Sequence, residues 1–396
     1  MNVPFNFSDK SLTDPRRSLL LDLYHLALAA VDGRVRMRAA LAGDLGNEAV
    51  SAFAVGKAAA SMMLGAAEAL GSRLERGLVV APEGAIPQEL ADLPGMRCLE
   101  AGHPRPDERS LEAGRALAEF ATGTPETSRV LLLVSGGASS LLEIPAPGVE
   151  LADLRALYDR SLSENLDIES LNARRTALSS VKGGSLRGMF RGARVEAFMI
   201  SDVPRDDPAV LGSGLLASPG LRPRLVGSLD DALNALLRGA EARGLTAHRA
   251  VDRLQGDAES AARRICHDLE LGGSELLAYG GETVVRLPEH PGRGGRCQHL
   301  AVAAARCIAG HPEYLLLAAG SDGQDGASGD AGAIVDGETV QRAADCGMDL
   351  AAALAAADTG RLLEATGDLV YTGPTGTNVG DIVLALRLQP ANSSPM

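Results

Sequence analysis

Short apolar runs alternate with helical patterns along most of this chain, and several of the runs end in glycine-rich turns. Val130 to Val134 predicts a buried strand that leads directly into Ser135-Gly136-Gly137. Similar runs occur at 52–55, 77–81 and 195–201. Such alternation is typical of a parallel sheet with helices on both faces. We therefore predict an α/β fold with a Rossmann-like, doubly wound parallel sheet in the N-terminal part.

A second α/β pattern follows the first. Further predicted strands lie at 276–279, 283–287, 314–319, 368–372 and 381–388. Helical patterns that bear on the later argument lie at 171–189, 296–308 and 341–356. We predict two domains, residues 1–240 and residues 241–396.

Composition narrows the class of protein. The chain has 396 residues, a net charge of −13, no tryptophan and only 3% aromatic residues. Acidity and scarce aromatic side chains argue against a nucleic-acid partner. No apolar run is long enough to predict a membrane span. The five cysteines are scattered without a Cys-x-x-Cys pair, which favours reduced thiols and a cytoplasmic location.

Charged and polar residues follow the ends of three predicted strands. Lys57 follows the run at 52–55, Ser135 follows Val134, and Asp202 follows the run that ends at Ser201. Ligands of open parallel sheets bind beyond the carboxyl ends of the strands. We therefore expect these three residues to converge on one crevice.

The turn after Val134 is predicted to bind an anion. Glycines at a strand end let backbone N–H groups approach an anion, and serine hydroxyls add donors. The predicted cradle consists of Ser135, Gly136, Gly137 and Ser139. The alternative interpretation is a plain tight turn.

Standard nucleotide fingerprints are absent. Gly56-Lys57 has Ser51 where a phosphate-binding loop would have its first glycine. Gly212-Ser213-Gly214 begins a Gly-x-Gly-x-x-Ala pattern, but it follows a turn rather than a strand, which argues against a dinucleotide site. No protein-kinase signature or pair of zinc-spaced histidines is present.

A series of short motifs occurs in a characteristic order. They are Val55-Gly56-Lys57-Ala58, Gly102-His103-Pro104, Ser135-Gly136-Gly137, Lys182-Gly183-Gly184, Ser201-Asp202-Val203, Gly280-Gly281-Glu282-Thr283, Gly292-Arg293-Gly294-Gly295-Arg296, Asp322-Gly323 with Asp325-Gly326, and Gly373-Pro374-Thr375-Gly376-Thr377-Asn378. In this order the chain resembles the glycerate 2-kinase family, whose C-terminal part is called the MOFRL domain.

The resemblance implies ATP-dependent phosphorylation of D-glycerate at its 2-hydroxyl, with Mg²⁺ or another divalent cation, in a cleft between two α/β domains. It implies small-molecule partners, D-glycerate and ATP, without nucleic acid or membrane. A monomer and a homodimer both remain open.

Three residues are predicted to be catalytic. Lys57 can neutralise a transferring phosphoryl group, and the resemblance implies a catalytic lysine there. A lysine at a helix start is otherwise unfavourable, because the helix dipole repels it. Arg296 matches the family's arginine and can hold a carboxylate or phosphate with two hydrogen bonds. Asp202 can orient the substrate hydroxyl, accept its proton or hold the metal.

Further candidates are weaker and come mainly from the resemblance. Asp322 and Asp325 resemble a loop with oxygen ligands for a hard cation, although Asp-Gly turns are common. Predicted substrate or nucleotide contacts are Arg175 and Lys182 on a helical stretch, Glu282, Arg293, and Thr375 and Asn378 in the C-terminal wall.

Departures from the family pattern leave the acceptor open. Ala138 stands where a third glycine is usual, and Cys297-Gln298-His299 replaces Asn-Gln-Glu. Thr176 and Ala177 replace a more polar pair. A kinase for a related hydroxy acid, a hydroxypyruvate or related 2-oxo-acid reductase, and a silent hydroxy-acid-binding module are the alternatives.

Overall fold

The computed structural model describes residues 14–44, 46–163, 168–326 and 328–388. Its helices are α1 Pro15–Ala30, α2 Gly33–Ala40, α3 Ala59–Leu70, α4 Gln88–Ala91, α5 Glu108–Thr122, α6 Ala138–Leu141, α7 Leu151–Ser163, α8 Ile168–Ala177, α9 Leu229–Glu241, α10 Ala258–Leu271, α11 Arg296–Cys307, α12 Thr339–Asp345, α13 Leu350–Ala355 and α14 Thr359–Thr366. Its strands are β1 Val50–Val55, β2 Leu74–Pro82, β3 Met96–Ala101, β4 Arg129–Ser135, β5 Arg194–Ile200, β6 Arg224–Gly227, β7 Ala247–Arg249, β8 Leu276–Gly281, β9 Tyr314–Gly320, β10 Gly332–Asp336, β11 Leu369–Val370 and β12 Asp381–Arg387.

Contacts divide the chain into two compact units. The N-terminal unit contains Val31–Ser228 and the short segment Gly376–Val379. The C-terminal unit contains helix α1, Leu229–Thr375 and the strand that follows Gly380. The predicted domain boundary at residue 240 stays a prediction. The contacts group helices α1 and α9, which both begin before that residue, with the C-terminal unit.

The sheet of the N-terminal unit has six parallel strands in the order β3-β2-β1-β4-β5-β6. Strands β1 and β4 are buried along their whole length, as their continuous apolar sequences predict. The register pairs Val55 of β1 with Val134 of β4, and Ser135 of β4 with Ile200 of β5. The carboxyl ends of these three neighbouring strands are therefore level with one another.

Helices cover both faces of this sheet. On one face Phe53, Leu132 and Val134 share a core with Leu117 and Phe120 of α5. On the other face α3 packs against β1 and β2, and α2 packs against α3 and β6. The predicted doubly wound α/β architecture is confirmed.

The sheet of the C-terminal unit is mixed, in the order β11-β10-β9-β12-β8-β7. Only β7 and β8 pair in parallel, and the other neighbours are antiparallel. Helices α10 and α11 share one core with its strands. Helices α1 and α9 pack together and also contact the sheet.

Helix α1 is attached to the C-terminal unit by buried polar contacts. Arg17 forms ion pairs with Asp336 and with Asp368, the latter at 2.8 Å, and Arg342 bonds both carboxylates as well. Tyr24 donates its hydroxyl proton to the carbonyl of Gly320 at 2.6 Å. These contacts explain why α1 belongs to this unit although it begins the chain.

Among the helices that the structure describes, none has the length and apolar character needed to cross a membrane.

Several predicted elements are wrong in extent. The helix predicted over 171–189 ends at Ala177, because the backbone of 178–180 pairs with that of 144–146 instead of continuing the helix. The helix predicted over 341–356 is broken around Gly347, which has a φ of 71°. The strand predicted over 283–287 is absent, and Val284 forms only an isolated bridge to Asp257.

Candidate functional site

The turn after β4 is tied to the turn after β1. The N–H of Lys57 donates to the carbonyl of Gly136 at 2.9 Å, and the N–H of Ala58 donates to Ser135 Oγ at 2.9 Å. Ser135 is fully buried, so its hydroxyl braces the start of α3. Ser135 is predicted to bind an anion as part of the cradle. That role stays a prediction and concerns its backbone, because its hydroxyl contacts the start of α3.

Gly136 lies against two polar side chains. A Cβ atom at this position would overlap the carboxylate of Asp202 and the amide of Asn378. These two groups are themselves joined, because Asn378 Nδ2 donates to Asp202 Oδ2 at 2.8 Å. Gly136 therefore permits the backbone to approach a carboxylate that an amide holds in place.

Gly137 brings Lys57 and His103 to the same turn. With a φ of 82°, Gly137 adopts a left-handed conformation that allows the chain to enter α6. A Cβ atom here would lie 3.1 Å from Lys57 Cγ and 3.2 Å from His103 Nε2. Lys57, the glycine turn and Asp202 thus meet at the ends of β1, β4 and β5, where the sequence analysis predicts them.

Lys182 occupies a buried ion pair rather than a solvated helix face. Only 3% of Lys182 is exposed, and its ammonium contacts Glu143, which is equally buried. Ser179 Oγ donates to the other oxygen of Glu143 at 2.5 Å. Burial lowers the pKa of Lys182, and the Glu143 carboxylate opposes that shift. The expectation that Lys182 lies on a helix is wrong, because α8 ends before it.

Arg296 is held by two carboxylates at the start of α11. Its Nε donates to Asp381 Oδ2 at 2.5 Å and its Nη2 donates to Asp381 Oδ1 at 2.8 Å. Nη2 also donates to Glu282 Oε1 at 2.8 Å. Burial alone would lower the pKa of Arg296, but the carboxylates of Asp381 and Glu282 raise it well above its usual range. The hydrogen bonds of Arg296 to described residues use Nε and Nη2, so Nη1 can meet a ligand.

Asp325 caps helix α11. Its two carboxylate oxygens accept the N–H groups of Cys297 at 3.0 Å and Gln298 at 2.7 Å. Burial, together with the nearby charge of Asp381, raises the pKa of Asp325 to about 7. The two backbone hydrogen bonds lower it and only partly offset that effect.

The predicted metal pair does not fit a shared cation. Both oxygens of Asp325 are occupied by backbone donors, and Asp322 Oδ1 accepts the N–H of Gln324 at 3.0 Å. Throughout the described ranges, no group of three or more His, Cys, Asp or Glu side chains could hold a metal ion. A carboxylate with a pKa near 7 is also a poor ligand at neutral pH, because ligands must be deprotonated.

The remaining predicted residues of the C-terminal unit support its loops. Thr375 Oγ1 donates to the carbonyl of Ser321 at 2.5 Å. Arg293 pairs with Glu364 at 2.8 Å and with Asp330 at 3.3 Å. Through these contacts Thr375 and Arg293 stabilise loops of the C-terminal unit. Their predicted contacts with ligands stay predictions.

Comparison with known proteins bears directly on the family. Residues 19–224 match DUF4147, a domain of unknown function, and residues 275–381 match the MOFRL family. The D-glycerate 2-kinase of Thermotoga maritima is 33% identical over 385 residues, which cover 86% of this chain and 91% of that protein. The chain belongs to the glycerate 2-kinase family.

A solved structure and a relative with a different name are also similar to this chain. The crystal structure of the Thermotoga maritima glycerate kinase matches with a TM-score of 0.81 at 31% identity, covering 94% of this chain and 99% of that chain. An Agrobacterium vitis protein with the provisional name hydroxypyruvate reductase is 34% identical over 334 residues, covering 72% of this chain and 87% of that protein.

The departures from the glycerate 2-kinase pattern at Ala138 and at Cys297-Gln298-His299 are buried, whereas Ala177 is exposed. Ala138 is fully buried in the core of the N-terminal unit. His299 is buried in α11, and its Nε2 lies 3.8 Å from Oε1 of Glu259. Burial lowers the pKa of His299.

Two residues of the candidate site were absent from the predicted set. His103 belongs to a recognised motif, but its position beside Lys57 depends on the fold. Asp381 binds Arg296 from the start of β12. Its signal was an acid directly after Gly380 at the head of a buried strand, which is an unusual place for a charge.

Proposed function

We propose that this protein is a glycerate 2-kinase, which transfers the γ-phosphoryl group of ATP to the 2-hydroxyl of D-glycerate. The observation that carries the proposal is the meeting of Lys57, the Gly136-Gly137 turn and Asp202 at three adjacent strand ends. Phosphoryl transfer depends mainly on positioning and on neutralising charge, and this arrangement offers a cation, backbone donors and a base.

Asp202 is the proposed acceptor of the hydroxyl proton. Asn378 fixes one oxygen of its carboxylate at 2.8 Å, which leaves the orientation of the other oxygen defined. A carboxylate positioned within hydrogen-bond reach of the substrate hydroxyl can remove its proton as the phosphoryl group arrives. Lys57 then neutralises charge on the transferred group.

Arg296 is the proposed anion contact of the C-terminal unit. Two carboxylates hold its guanidinium, so it is oriented before a ligand binds. Its Nη1 can then donate to a phosphate or carboxylate oxygen. A cytoplasmic location belongs to the same proposal, and so does the state of a monomer or a homodimer.

Because Asp322 and Asp325 do not fit a shared cation, a divalent cation would be supplied with the phosphates of ATP. Kinases bind such a cation to the phosphates, where it neutralises their charge. The roles proposed for Lys57, Asp202 and Arg296 do not depend on a metal held by Asp322 or Asp325.

Release of ADP tests the proposal. Purified protein is incubated with Mg-ATP and D-glycerate, and ADP is followed by a coupled assay, with L-glycerate, glycolate and D-lactate as alternative acceptors. A parallel reaction with hydroxypyruvate and NADH or NADPH tests the reductase. We expect ADP release with D-glycerate and no oxidation of the nicotinamide. ADP release only with another hydroxy acid would reassign the acceptor, and oxidation of NADH would contradict the proposal.

A further inference from the structure

A small cavity lies beside the glycine turn of the N-terminal unit. It measures about 20 Å³ and is lined by polar and charged groups as well as by apolar ones. Ser139, which lines it, is two residues beyond Gly137, and Pro104 on its wall follows His103. The cavity therefore adjoins the turn that contacts Lys57.

The charges around this cavity do not cancel. Lys182 and Glu143 form a buried pair, and Ser179 occupies the second oxygen of Glu143. Arg175 also lines the cavity, yet within the described ranges its guanidinium has no hydrogen bond or ion pair and is affected only by the charges of Tyr158 and Glu143. The lining thus carries one positive charge in excess, supplied by Arg175.

Desolvation of Arg175 is costly without an anion. Burial lowers the pKa of Arg175, and the groups that oppose the shift, Tyr158 and Glu143, act only through space. An unpaired cation in such surroundings gains most from a ligand that brings a negative charge and two acceptor oxygens. A carboxylate has this geometry.

The size of the cavity selects the kind of anion. A volume of about 20 Å³ accommodates a water molecule or a group of similar bulk. It excludes a nucleobase or a triphosphate. Before phosphoryl transfer, the only anionic group of a 2-hydroxy acid is its carboxylate.

We propose that Arg175 binds the carboxylate of the acceptor in this cavity and so determines both its specificity for acids and the hydroxyl that reacts. The inference rests on the proposed kinase function. The 2-hydroxyl is attached to the carbon next to the carboxylate. Anchoring the carboxylate beside Ser139 therefore places that hydroxyl, rather than the 3-hydroxyl, nearest to the turn that holds Lys57. Lys182 is a positioning residue, since it neutralises Glu143 and leaves Arg175 as the unpaired charge among the described residues of the lining.

Substitution of Arg175 tests the assignment. Arg175→Met keeps the length of the side chain and removes its charge, and Arg174→Met, on the exposed neighbouring position of α8, is the matched control. D-glycerate is compared with its neutral amide, glyceramide, as acceptor. Loss of a charge-assisted hydrogen bond predicts that Arg175→Met raises the KM for D-glycerate about 10- to 100-fold. The KM for ATP and the turnover of glyceramide should match those of Arg174→Met.

Arg175→Lys adds a graded variant. It retains the charge but not the planar fork, so we expect an intermediate KM for D-glycerate. An unchanged KM for D-glycerate in Arg175→Met, or an equal rise in the KM for ATP, would overturn the assignment. If Arg175→Met does not fold, Arg175→Lys decides the point, because an unchanged KM for D-glycerate in that variant would overturn the assignment.

Equilibrium binding separates this inference from the kinase proposal. Isothermal titration measures D-glycerate binding to the unmodified protein and to Arg175→Met without any turnover. Binding that depends on Arg175, in a protein that releases no ADP, would support the carboxylate subsite and contradict the kinase. ADP release that is insensitive to Arg175 would support the kinase and contradict the subsite. Absence of D-glycerate binding to the unmodified protein would overturn both.

Discussion

Asn378 Nδ2 donates a hydrogen bond of 2.8 Å to Asp202 Oδ2, although 176 residues separate the two along the chain. Asn378 lies in the short segment Gly376–Val379, which packs with the N-terminal unit. The same segment is anchored by Thr377, whose hydroxyl donates to the carbonyl of Val31 at 2.7 Å. The proposed base is therefore oriented by a residue from the distant C-terminal part of the chain.

Removing this hydrogen bond should impair catalysis more than binding. Asn378→Ala leaves Asp202 without its orienting donor, so we expect kcat to fall about 10-fold, the effect of losing a hydrogen bond to a charged group. Asp202→Asn removes the base and should lower kcat by about 10²- to 10⁴-fold. Steady-state kinetics on both variants measures the two decreases in kcat, of which that of Asp202→Asn should be the larger. Equal kcat in Asp202→Asn and the unmodified enzyme would exclude Asp202 as the base.

Lys57→Ala should abolish most of the turnover while the protein remains folded. Removal of a group that stabilises transition-state charge costs about 10²- to 10³-fold in kcat. The site lies at the start of α3, where alanine is well tolerated. Arg38→Ala, on the exposed surface of α2, is the control for loss of a positive charge. Unchanged turnover in Lys57→Ala would remove this lysine from the mechanism.

Lys182→Met should destabilise the protein, because it leaves Glu143 buried without its partner. Breaking a buried ion pair by removing one member costs about 3 to 5 kcal/mol. The double variant Lys182→Met with Glu143→Leu removes both charges and should recover much of that loss. Urea unfolding measures the free energy in each case. A single variant as stable as the unmodified protein would show that the pair contributes nothing to folding.

The pH dependence of stability should carry the signature of Asp325. Its pKa is about 7 when folded, above the ordinary value of 3.8. A carboxyl group with a raised folded pKa favours folding when protonated, so stability should decrease as pH rises from about 4 to about 7. Asp325→Asn should flatten this slope, whereas Asp349→Asn, an exposed cap of α13, should not.

Asp325→Asn also tests the metal prediction. If Asp325 acts as a helix cap, the Mg²⁺ concentration for half-maximal activity should stay the same in the variant. A large increase in that concentration would show that Asp325 binds the cation. Denaturant unfolding of Asp325→Asn and Asp349→Asn between pH 4 and 8 measures the pH dependence of stability predicted above.

Several central strands could be predicted because burial on both faces requires continuous apolar sequence, although β10, which is also buried along its length, was not predicted. Strands β1, β4 and β9 are of this kind. The edge strand β3 escaped prediction because it carries Arg97 and Glu100 among its apolar residues. A strand at the margin of a sheet needs less apolar surface, so its sequence differs little from that of a loop.

The residues of the candidate site likewise divide into those that could be predicted from the sequence and those that could not. Lys57 and Asp202 could be identified because each follows a recognisable strand in a parallel sheet. The partners that orient the charged groups were not predicted as such: Asn378 was predicted only as a ligand contact and Asp381 was not singled out, since both approach from distant positions in the chain. From the sequence, Arg175 and Lys182 are both expected to be solvated charges. Their roles differ because the buried carboxylate of Glu143 forms its ion pair with Lys182.

Phosphorus NMR of the reaction product tests the central claim most directly. The protein is incubated with Mg-ATP and D-glycerate, and the spectrum is compared with authentic 2-phosphoglycerate and 3-phosphoglycerate. The account predicts the resonance of 2-phosphoglycerate, its loss in Lys57→Ala, and ADP in equal amount. A product with the resonance of 3-phosphoglycerate, or no phosphorylated product from the folded protein, would contradict it.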